Sequence, residues 1–241
     1  MSENKKSWFI TDVGSAFIYA KPDFNSACVS EIIFGESSKI LAEEKNWCNI
    51  ECEDGYKGWV YSFYGYKSML KNKPKYKVVY PDKNGRFSHA KPFGSYINDF
   101  IPGSIPIKET LDLRKINEIT NNLVGIPYRW GGKTSLGFDC SGFVQTVLKI
   151  FGFSMPRDSK QQKDYFKDCV IDLKKSSPGD LHFFGTKGKV SHVSLSLGEY
   201  DIIHSQGCVK KQSLNKNSKN FNKNLFDIYL STHSIKCKFQ H

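Results

Sequence analysis

Cys140 lies between Asp139 and Ser141 at the start of a helix that the sequence predicts over 140–151. Five apolar residues of this segment share one helical face, which would pack against a core: Phe143, Val144, Val147, Leu148 and Phe151. Asp139 is a favourable N-cap residue and Gly152 a favourable stop, so Cys140 is expected in the first helical turn. The unpaired N–H groups and the dipole at that end of a helix favour a thiolate, which is the nucleophilic form of cysteine.

Two histidines on predicted strands could supply the base that a cysteine nucleophile needs. His192 lies on the face opposite the apolar stripe of "VSHVSLSLG" (190–198), and His204 lies in "DIIHSQG" (201–207). If the intervening turn closes a hairpin centred near Gly198, the two histidines stand directly opposite each other on one face. Either histidine alone would be an ordinary strand residue, but together one could pair with the thiolate while the other orients it.

The elements that position these residues change character along the chain. Residues 8–66 consist of short strands with turn signals, among them Asp54-Gly55, and predict a small all-β barrel. From 109 on, apolar residues at helical spacing predict a helix that ends near Gly125. The helix over 140–151 and three consecutive strands follow, so the second half predicts an α+β fold with helices packed on an antiparallel sheet.

A faint repeat suggests how the domains are divided. The sequence "YAKPDFNSACVSEIIFGES" (19–37) is echoed by "SHAKPFGSYINDFIPGS" (88–104), although chance similarity explains this equally well. We therefore expect a β-barrel domain over 1–70 and a catalytic domain over 109–241. Residues 71–108 are expected to be a shortened second unit or a β-rich linker. The basic, Asn-rich segment 210–225 is expected to be a surface loop.

Composition and charge narrow the class of partner. Apolar residues make up 39% of the 241 residues and aromatic residues 14%, which is enough to build packed cores. The net charge of +11 suits an anionic partner, or else reflects solvated lysines. The cations form no dense run with interleaved aromatics, so no nucleic-acid binding is expected. No segment approaches the ~20 apolar residues of a membrane span, and oligomeric state is left open.

The cysteine pattern bears on compartment and on metal binding. Seven cysteines occur at irregular spacings that fit neither a zinc site nor a disulfide framework, so no metal or cofactor is expected. Cys169 and Cys208 are interpreted as packing thiols. Unpaired thiols and an N-terminus without a secretory apolar region indicate a cytoplasmic protein. A periplasmic or secreted location is the alternative if a leader was removed.

The second half resembles the NlpC-type cysteine peptidases, papain-like enzymes that cut peptidoglycan peptides. The motifs that carry the resemblance occur in the family's order over roughly 109–210: "PYRWGG" (127–132), "FDCSGFV" (138–144), "PRDSKQQ" (156–162), "PGDLHFF" (178–184), "VSHVSL" (190–195) and "IHS" (203–205). Residues 8–66 resemble a bacterial SH3-type domain through "AKPDFNS", "FGE", Trp47 and "DGYKGWV". The resemblance implies a papain-like catalytic domain preceded by an SH3-like one.

The resemblance also implies roles for the site residues. Cys140 would be the nucleophile, His192 the general base and His204 the third, orienting residue. The backbone N–H of Cys140, assisted by Tyr128, would stabilise the oxyanion. Recycling-type members hold the substrate's free amine with residues that correspond here to Tyr128, Asp139 and Ser141, a role that for Asp139 competes with capping.

Four further residues have two interpretations each, and one histidine is set aside. Arg157, Asp158 and Ser159 would shape the substrate cleft or form an ordinary solvated turn. Trp130 would wall the cleft or pack under its loop. His182 is interpreted as structural.

The activity implied is hydrolysis of the γ-D-glutamyl-L-diamino acid bond of peptidoglycan stem peptides, with short fragments bearing a free N-terminal L-Ala as substrates. The alternatives are a secreted hydrolase of the polymeric wall, a wall-peptide binding module that does not cut, and an acyltransferase on the same fold.

Overall fold

The computed structural model describes residues 7–238, which divide into two units. The first unit comprises the described residues up to Glu109 together with Trp130–Leu136. The second comprises Thr110–Arg129 and the described residues from Gly137 on. The predicted domain boundaries at 70 and 108 stay predictions.

The first unit is built on a seven-stranded antiparallel sheet in the order β3-β2-β6-β5-β4-β1-β7. Its strands are β1 (Trp8–Thr11), β2 (Ser15–Tyr19), β3 (Cys28–Ile33), β4 (Ser37–Glu44), β5 (Trp47–Glu51), β6 (Lys57–Tyr61) and β7 (Gly65–Ser68). The predicted hairpin at Asp54-Gly55 joins β5 to β6, and Gly55 has the left-handed φ of +80° that such a turn requires. Alternating apolar residues form the core, among them Phe9, Ile18, Ile32, Ile50 and Val60.

The sheet of the first unit does not close into the predicted small barrel. Within the described residues the sheet is open, with β3 and β7 as its two edges, and β2 meets β6 at the single pair Tyr19↔Trp59. Closure would require β7 to continue toward β3. The chain instead passes to the turn before β4, where the amide N–H of Asn72 donates to Ser37 and its side chain donates to the carbonyl of Gly35.

The rest of the first unit adds short strands. Residues 71–108 contain β8 (Tyr76–Val78), β9 (Tyr96–Ile97) and β10 (Ser104–Pro106), which pair in the order β10-β8-β9. Strand β11 (Lys133–Thr134) lies in the segment 130–136. The buried Lys133 holds that segment, because its backbone N–H donates to Glu31 at 2.6 Å and its Nζ lies 3.8 Å from Glu36.

The second unit packs helices on a six-stranded antiparallel sheet, which confirms the α+β prediction. Its helices are α1 (Ile116–Asn121), α2 (Cys140–Ile150), α3 (Ser159–Tyr165) and α4 (Lys223–Asp227). The strands are β12 (Gly137–Phe138), β13 (Val170–Ile171), β14 (Leu181–Thr186), β15 (Lys189–Gly198), β16 (Asp201–Gln206), β17 (Cys208–Ser213) and β18 (Tyr229–His233). The six-stranded sheet has the order β13-β18-β14-β15-β16-β17, and α2 packs on β15 and β16.

Two predicted element boundaries are wrong. The helix expected from 109 to Gly125 is a 3₁₀ turn over Leu113–Lys115 followed by α1, which ends at Asn121. The backbone N–H of Leu123 then donates to the carbonyl of Thr120, and this i,i+3 hydrogen bond takes the place of a further α-helical turn. The segment 210–225 is a loop only between Ser213 and Lys223, because β17 and α4 occupy its two ends.

Cys169 and Cys237 form a disulfide, with their Cα atoms 5.7 Å apart. The prediction that Cys169 is an unpaired packing thiol is therefore wrong. Strands β13 and β18 pair through Val170 and His233, which brings the residue before one strand next to the segment after the other. The remaining five cysteines are free. No helix among residues 7–238 has the length and hydropathy to cross a membrane.

Candidate active site

The N-terminus of α2 presents Cys140 as predicted. Asp139 is the N-cap, and its carboxylate accepts a hydrogen bond of 2.6 Å from the backbone N–H of Gly142. Asp139 has extended backbone angles, so the helix begins at Cys140 itself. The apolar face that includes Phe143, Val144, Val147 and Leu148 is buried and fixes the helix on the sheet.

The surroundings of Cys140 oppose the thiolate that a helix N-terminus favours. Burial, and secondarily the Asp139 carboxylate, raise the pKa of the Cys140 thiol to about 11. The backbone N–H groups of Val193 and Ser141 lower the pKa, and so does Arg157, but they offset the desolvation only in part. At pH 7 Cys140 is therefore a neutral thiol that needs a base to become a nucleophile.

His192 on β15 and His204 on β16 are in direct contact. The Nε2 atom of His192 lies 2.8 Å from Nδ1 of His204, and both rings are buried. The two histidines share one face of the sheet, as predicted. The prediction that they stand directly opposite each other is wrong. In the predicted register Leu195 faces Asp201, whereas it pairs with Ile203. The reason is that Gly198 pairs with Asp201, so the turn falls on residues 199 and 200 and not on Gly198. The histidines are therefore diagonal neighbours, a spacing that aromatic side chains still span.

Both histidines are neutral at pH 7. Burial first, and then His204 and Lys210, lower the pKa of His192 to about 3. Burial lowers the pKa of His204 to about 4, with Gln212 acting in the opposite direction. A neutral imidazole can accept a proton, so the arrangement is a neutral thiol beside a neutral base.

Cys140 and His192 line one cavity of about 310 Å³ in the second unit. Its other lining residues are mostly small or polar: Tyr128, Ser191, Ser205, Gln206, Gly207, Leu225 and Ile228. His204 is not among the lining residues and contacts His192 from a fully buried position. Cys140 and His192, the predicted nucleophile and base, therefore line the same cavity, and His204 holds His192 through their ring nitrogens.

Tyr128 lies in the wall of this cavity, where its backbone N–H donates to the carbonyl of Gly207 at 2.8 Å. Burial first, and then Cys140 and Asp139, raise the pKa of the phenol to about 12. The hydroxyl therefore keeps its proton at neutral pH and can donate a hydrogen bond to an oxyanion.

Asp139, Ser141 and Arg157 form a buried cluster that does not line the cavity. Arg157 is only 2% exposed and donates to both carboxylate oxygens of Asp139. It also donates to Oγ of Ser141 at 2.9 Å. The interpretation of Arg157 as part of a solvated turn is wrong, because its charge is buried against Asp139.

The remaining predicted substrate residues are not among those that line the cavity. Asp158 is the N-cap of α3, where Gln161 completes a capping box, and Ser159 is the first residue of that helix. Trp130 belongs to the first unit, is 70% exposed, and donates its indole N–H to the carbonyl of Cys28. His182 is fully buried with Nδ1 2.8 Å from Thr232, which agrees with a structural role.

Gln212 is a site residue that the sequence did not reveal. Its Oε1 lies 2.8 Å from Nε2 of His204. It was hidden because 210–225 was interpreted as a loop, whereas β17 pairs with β16 and sets Lys210 opposite His204. Side chains alternate along a strand, so Lys210 and Gln212 lie on the face of the histidines.

Comparison with known proteins shows which domain families the two parts of the chain match. Residues 125–229 match the sequence model of the NlpC/P60 family, and residues 18–62 match that of the bacterial dipeptidyl-peptidase Sh3 domain. The chain carries an NlpC/P60 domain. It is a cysteine peptidase with this domain over residues 125–229 and a bacterial SH3 domain in its N-terminal region, as the sequence motifs indicated.

Two relatives carry the same enzyme name. The gamma-D-glutamyl-L-lysine dipeptidyl-peptidase of Bacillus subtilis (strain 168) is 28% identical over 216 residues, which span 73% of this chain and 71% of that protein. The enzyme of the same name from Bacillus cereus (strain ATCC 10987) is 41% identical over 85 residues, but these span only 34% and 25% of the two chains.

A solved structure shares the fold along nearly the whole chain. An NlpC/P60 family protein from Bacillus cereus ATCC 10987 superposes with a TM-score of 0.78 over 94% of this chain and 99% of its own, at 18% identity. The α+β catalytic fold with a preceding β-rich domain is therefore that of an NlpC/P60 protein.

Proposed function

We propose that the NlpC/P60 enzyme hydrolyses the γ-D-glutamyl-L-diamino acid bond of peptidoglycan stem peptides. The observation that carries the proposal is the arrangement in one cavity of Cys140, at a helix N-terminus, and His192, whose Nε2 lies 2.8 Å from His204. The bond is chosen because both relatives described above are named for the γ-D-glutamyl-L-lysine linkage.

The reaction begins with proton transfer from the Cys140 thiol to His192 as the sulfur attacks the γ-glutamyl carbonyl carbon. The tetrahedral oxyanion is stabilised by the backbone N–H of Cys140 and by the Tyr128 hydroxyl. Collapse breaks the C–N bond, and the His192 imidazolium gives its proton to the departing amine of the diamino acid. Water, deprotonated by His192, then hydrolyses the thioester and restores the thiol.

Desolvation sets the order of these events. The thiol and both histidines are neutral before substrate binds, so the ion pair forms only as the carbonyl is attacked. His204 stabilises the transient positive charge on His192 through the Nε2–Nδ1 contact. The oxyanion donors offset the free energy of this charge separation, because they stabilise the negative charge that develops on the carbonyl oxygen.

The preferred substrates are short fragments with a free N-terminal L-Ala. Of the three residues predicted to hold the amine, Tyr128 lines the cavity, while Asp139 and Ser141 are buried with Arg157. The Arg157 cation already offsets the Asp139 charge. Of the three, only Tyr128 is therefore placed to contact the substrate, and we regard Asp139 and Ser141 as supporting the start of α2.

Mass spectrometry of L-Ala-γ-D-Glu-diaminopimelate and of its L-Lys counterpart tests the proposal. Release of the diamino acid by wild type, and none by Cys140→Ala, is expected. The N-acetylated tripeptide serves as the control for the free amine. Cleavage of the acetylated and free forms at equal rates would rule out amine selection, and no cleavage of any peptide would favour the wall-peptide binding module.

A hydrolase of the polymeric wall is the second candidate, and the Cys169–Cys237 disulfide favours it. Stable disulfides belong to oxidising compartments, whereas the five free cysteines fit the cytoplasmic location that we propose for fragment recycling. Digestion of intact wall alongside the tripeptides separates the two candidates. Fractionation of the native cells, with thiol counting on the recovered protein, decides the compartment.

A further inference from the structure

Gln212 on β17 and Asn222 at the N-cap of α4 extend the histidine pair by two residues. Oε1 of Gln212 lies 2.8 Å from Nε2 of His204, and Nδ2 of Asn222 donates to the same oxygen at 2.7 Å. Neither amide lines the cavity. The four side chains His192, His204, Gln212 and Asn222 therefore form one continuous chain of hydrogen bonds that ends at a backbone group.

That backbone group fixes the orientation of both amides. The N–H of Leu225 donates to Oδ1 of Asn222 at 2.9 Å, and a backbone N–H can only donate. The other end of the Asn222 amide is therefore its NH₂ group, which donates to Gln212. It follows that Gln212 faces both partners with its oxygen.

The protons of the histidines follow from the Gln212 oxygen. An oxygen acceptor requires that His204 carry its proton on Nε2, which leaves Nδ1 of the neutral ring as a lone pair. That lone pair lies 2.8 Å from Nε2 of His192, which must then carry the proton of its own ring. The remaining nitrogen of His192, Nδ1, is left with a free lone pair.

We propose that Gln212 and Asn222 are positioning residues that set the tautomers of His204 and His192, so that Nδ1 of His192 is the base for Cys140. The inference rests on the proposed function for the step at Cys140. If the Gln212 amide were reversed, its NH₂ group would donate to Nε2 of His204, and Nδ1 of His204 would then donate to Nε2 of His192. His192 would then carry its proton on Nδ1 and could not accept one from the thiol.

Asn222→Asp tests the inference with little change of shape. Asp retains the helix cap because its oxygen still accepts from the N–H of Leu225. It has no N–H to give, so the Gln212 amide turns its NH₂ group toward residue 222 and toward His204. The tautomers of both histidines are expected to reverse, and kcat to fall by about 100-fold or more with KM nearly unchanged.

Two control variants and one further test variant accompany Asn222→Asp. Asn215→Asp places the same charge in the loop between β17 and α4, where the Asn215 side chain accepts from the backbone N–H of Asn217. Gln212→Glu keeps an oxygen acceptor in either rotation and is expected to keep the wild-type tautomers and most of the activity. Gln212→Leu removes the acceptor and should lose activity as Asn222→Asp does.

Nitrogen-15 NMR of histidine-labelled protein at pH 8 reads the tautomers directly and needs no substrate. We expect the ring proton on Nε2 of His192 and His204 in wild type, and on Nδ1 of both in Asn222→Asp. Unchanged tautomers in Asn222→Asp, or reversed tautomers with unchanged kcat, would overturn the inference. If wild type cleaves no stem peptide, the proposed function fails on its own. The NMR spectra and the rate of Cys140 alkylation by iodoacetamide would still decide the tautomer inference.

Discussion

Arg157 donates to both carboxylate oxygens of Asp139, the residue that caps the helix beginning at Cys140. The pair is buried, so each charge depends on the other for compensation. The same carboxylate raises the pKa of Cys140 while Arg157 lowers it. One ion pair therefore holds the start of α2 in place and sets the electrostatic environment of the nucleophile.

Arg157→Leu is expected to lower the free energy of unfolding by about 3–5 kcal/mol, because it leaves the Asp139 carboxylate buried without a partner. It should also slow alkylation of Cys140, since the uncompensated anion raises the pKa of the thiol further. Urea unfolding and iodoacetamide kinetics measure the two effects.

The double variant Asp139→Asn with Arg157→Leu is expected to recover much of the stability, because no unpaired charge remains. Arg114→Leu is the matched control, since Arg114 pairs with Asp112 at the surface. A loss in Arg114→Leu as large as in Arg157→Leu would contradict a special role for the buried pair.

The pH dependence of Cys140 alkylation tests whether the thiol is neutral at rest. Only the thiolate reacts, so a raised pKa means that the rate should climb about tenfold per pH unit from pH 6 toward the value of about 11. The rate of alkylation by iodoacetamide in wild type, followed by mass spectrometry with Cys140→Ala as the blank, gives the profile. A plateau between pH 5 and pH 9 would instead show a preformed thiolate–imidazolium pair.

Local signals in the sequence predicted the site well. The N-cap at Asp139, the start of α2 at Cys140 and the shared face of His192 and His204 all follow from spacing within one or two elements. Such signals depend on helix periodicity and strand alternation, which are properties of a short stretch of chain.

The features that escaped prediction are long-range or depend on register. The Cys169–Cys237 disulfide joins residues 68 positions apart. The turn between β15 and β16 falls on residues 199 and 200 and is followed by a bulge, and neither feature can be deduced from alternation alone. Gln212 reaches His204 only because a lysine-rich stretch that looks solvated pairs as the edge strand β17.

Tyr128→Phe tests the second oxyanion donor. The ring keeps its place in the cavity wall, but the hydroxyl that the raised pKa keeps protonated is lost. We expect kcat for the tripeptide to fall by about 100-fold, because a donor to the transition state is removed. Steady-state kinetics separates this from a change in KM, which would instead indicate that the hydroxyl binds the substrate amine.

Trp130→Phe is the matched aromatic variant, because Trp130 does not line this cavity. Its kcat should stay close to that of wild type. Equal losses in Tyr128→Phe and Trp130→Phe would mean that the Tyr128 hydroxyl has no particular part in catalysis.

The disulfide gives the last prediction, which concerns stability. Cys237→Ser opens a loop of 68 residues, and its free energy of unfolding should fall by about 3–5 kcal/mol. Urea unfolding with and without dithiothreitol measures the loss, and wild type in reductant should match the variant. Cys208→Ser is the control, because Cys208 is free and its variant should still lose stability on reduction.

Thiol counting on the denatured protein should give five thiols before reduction and seven after it, since five of the seven cysteines are free. Seven thiols in protein isolated without reductant would contradict the disulfide and would support the cytoplasmic location.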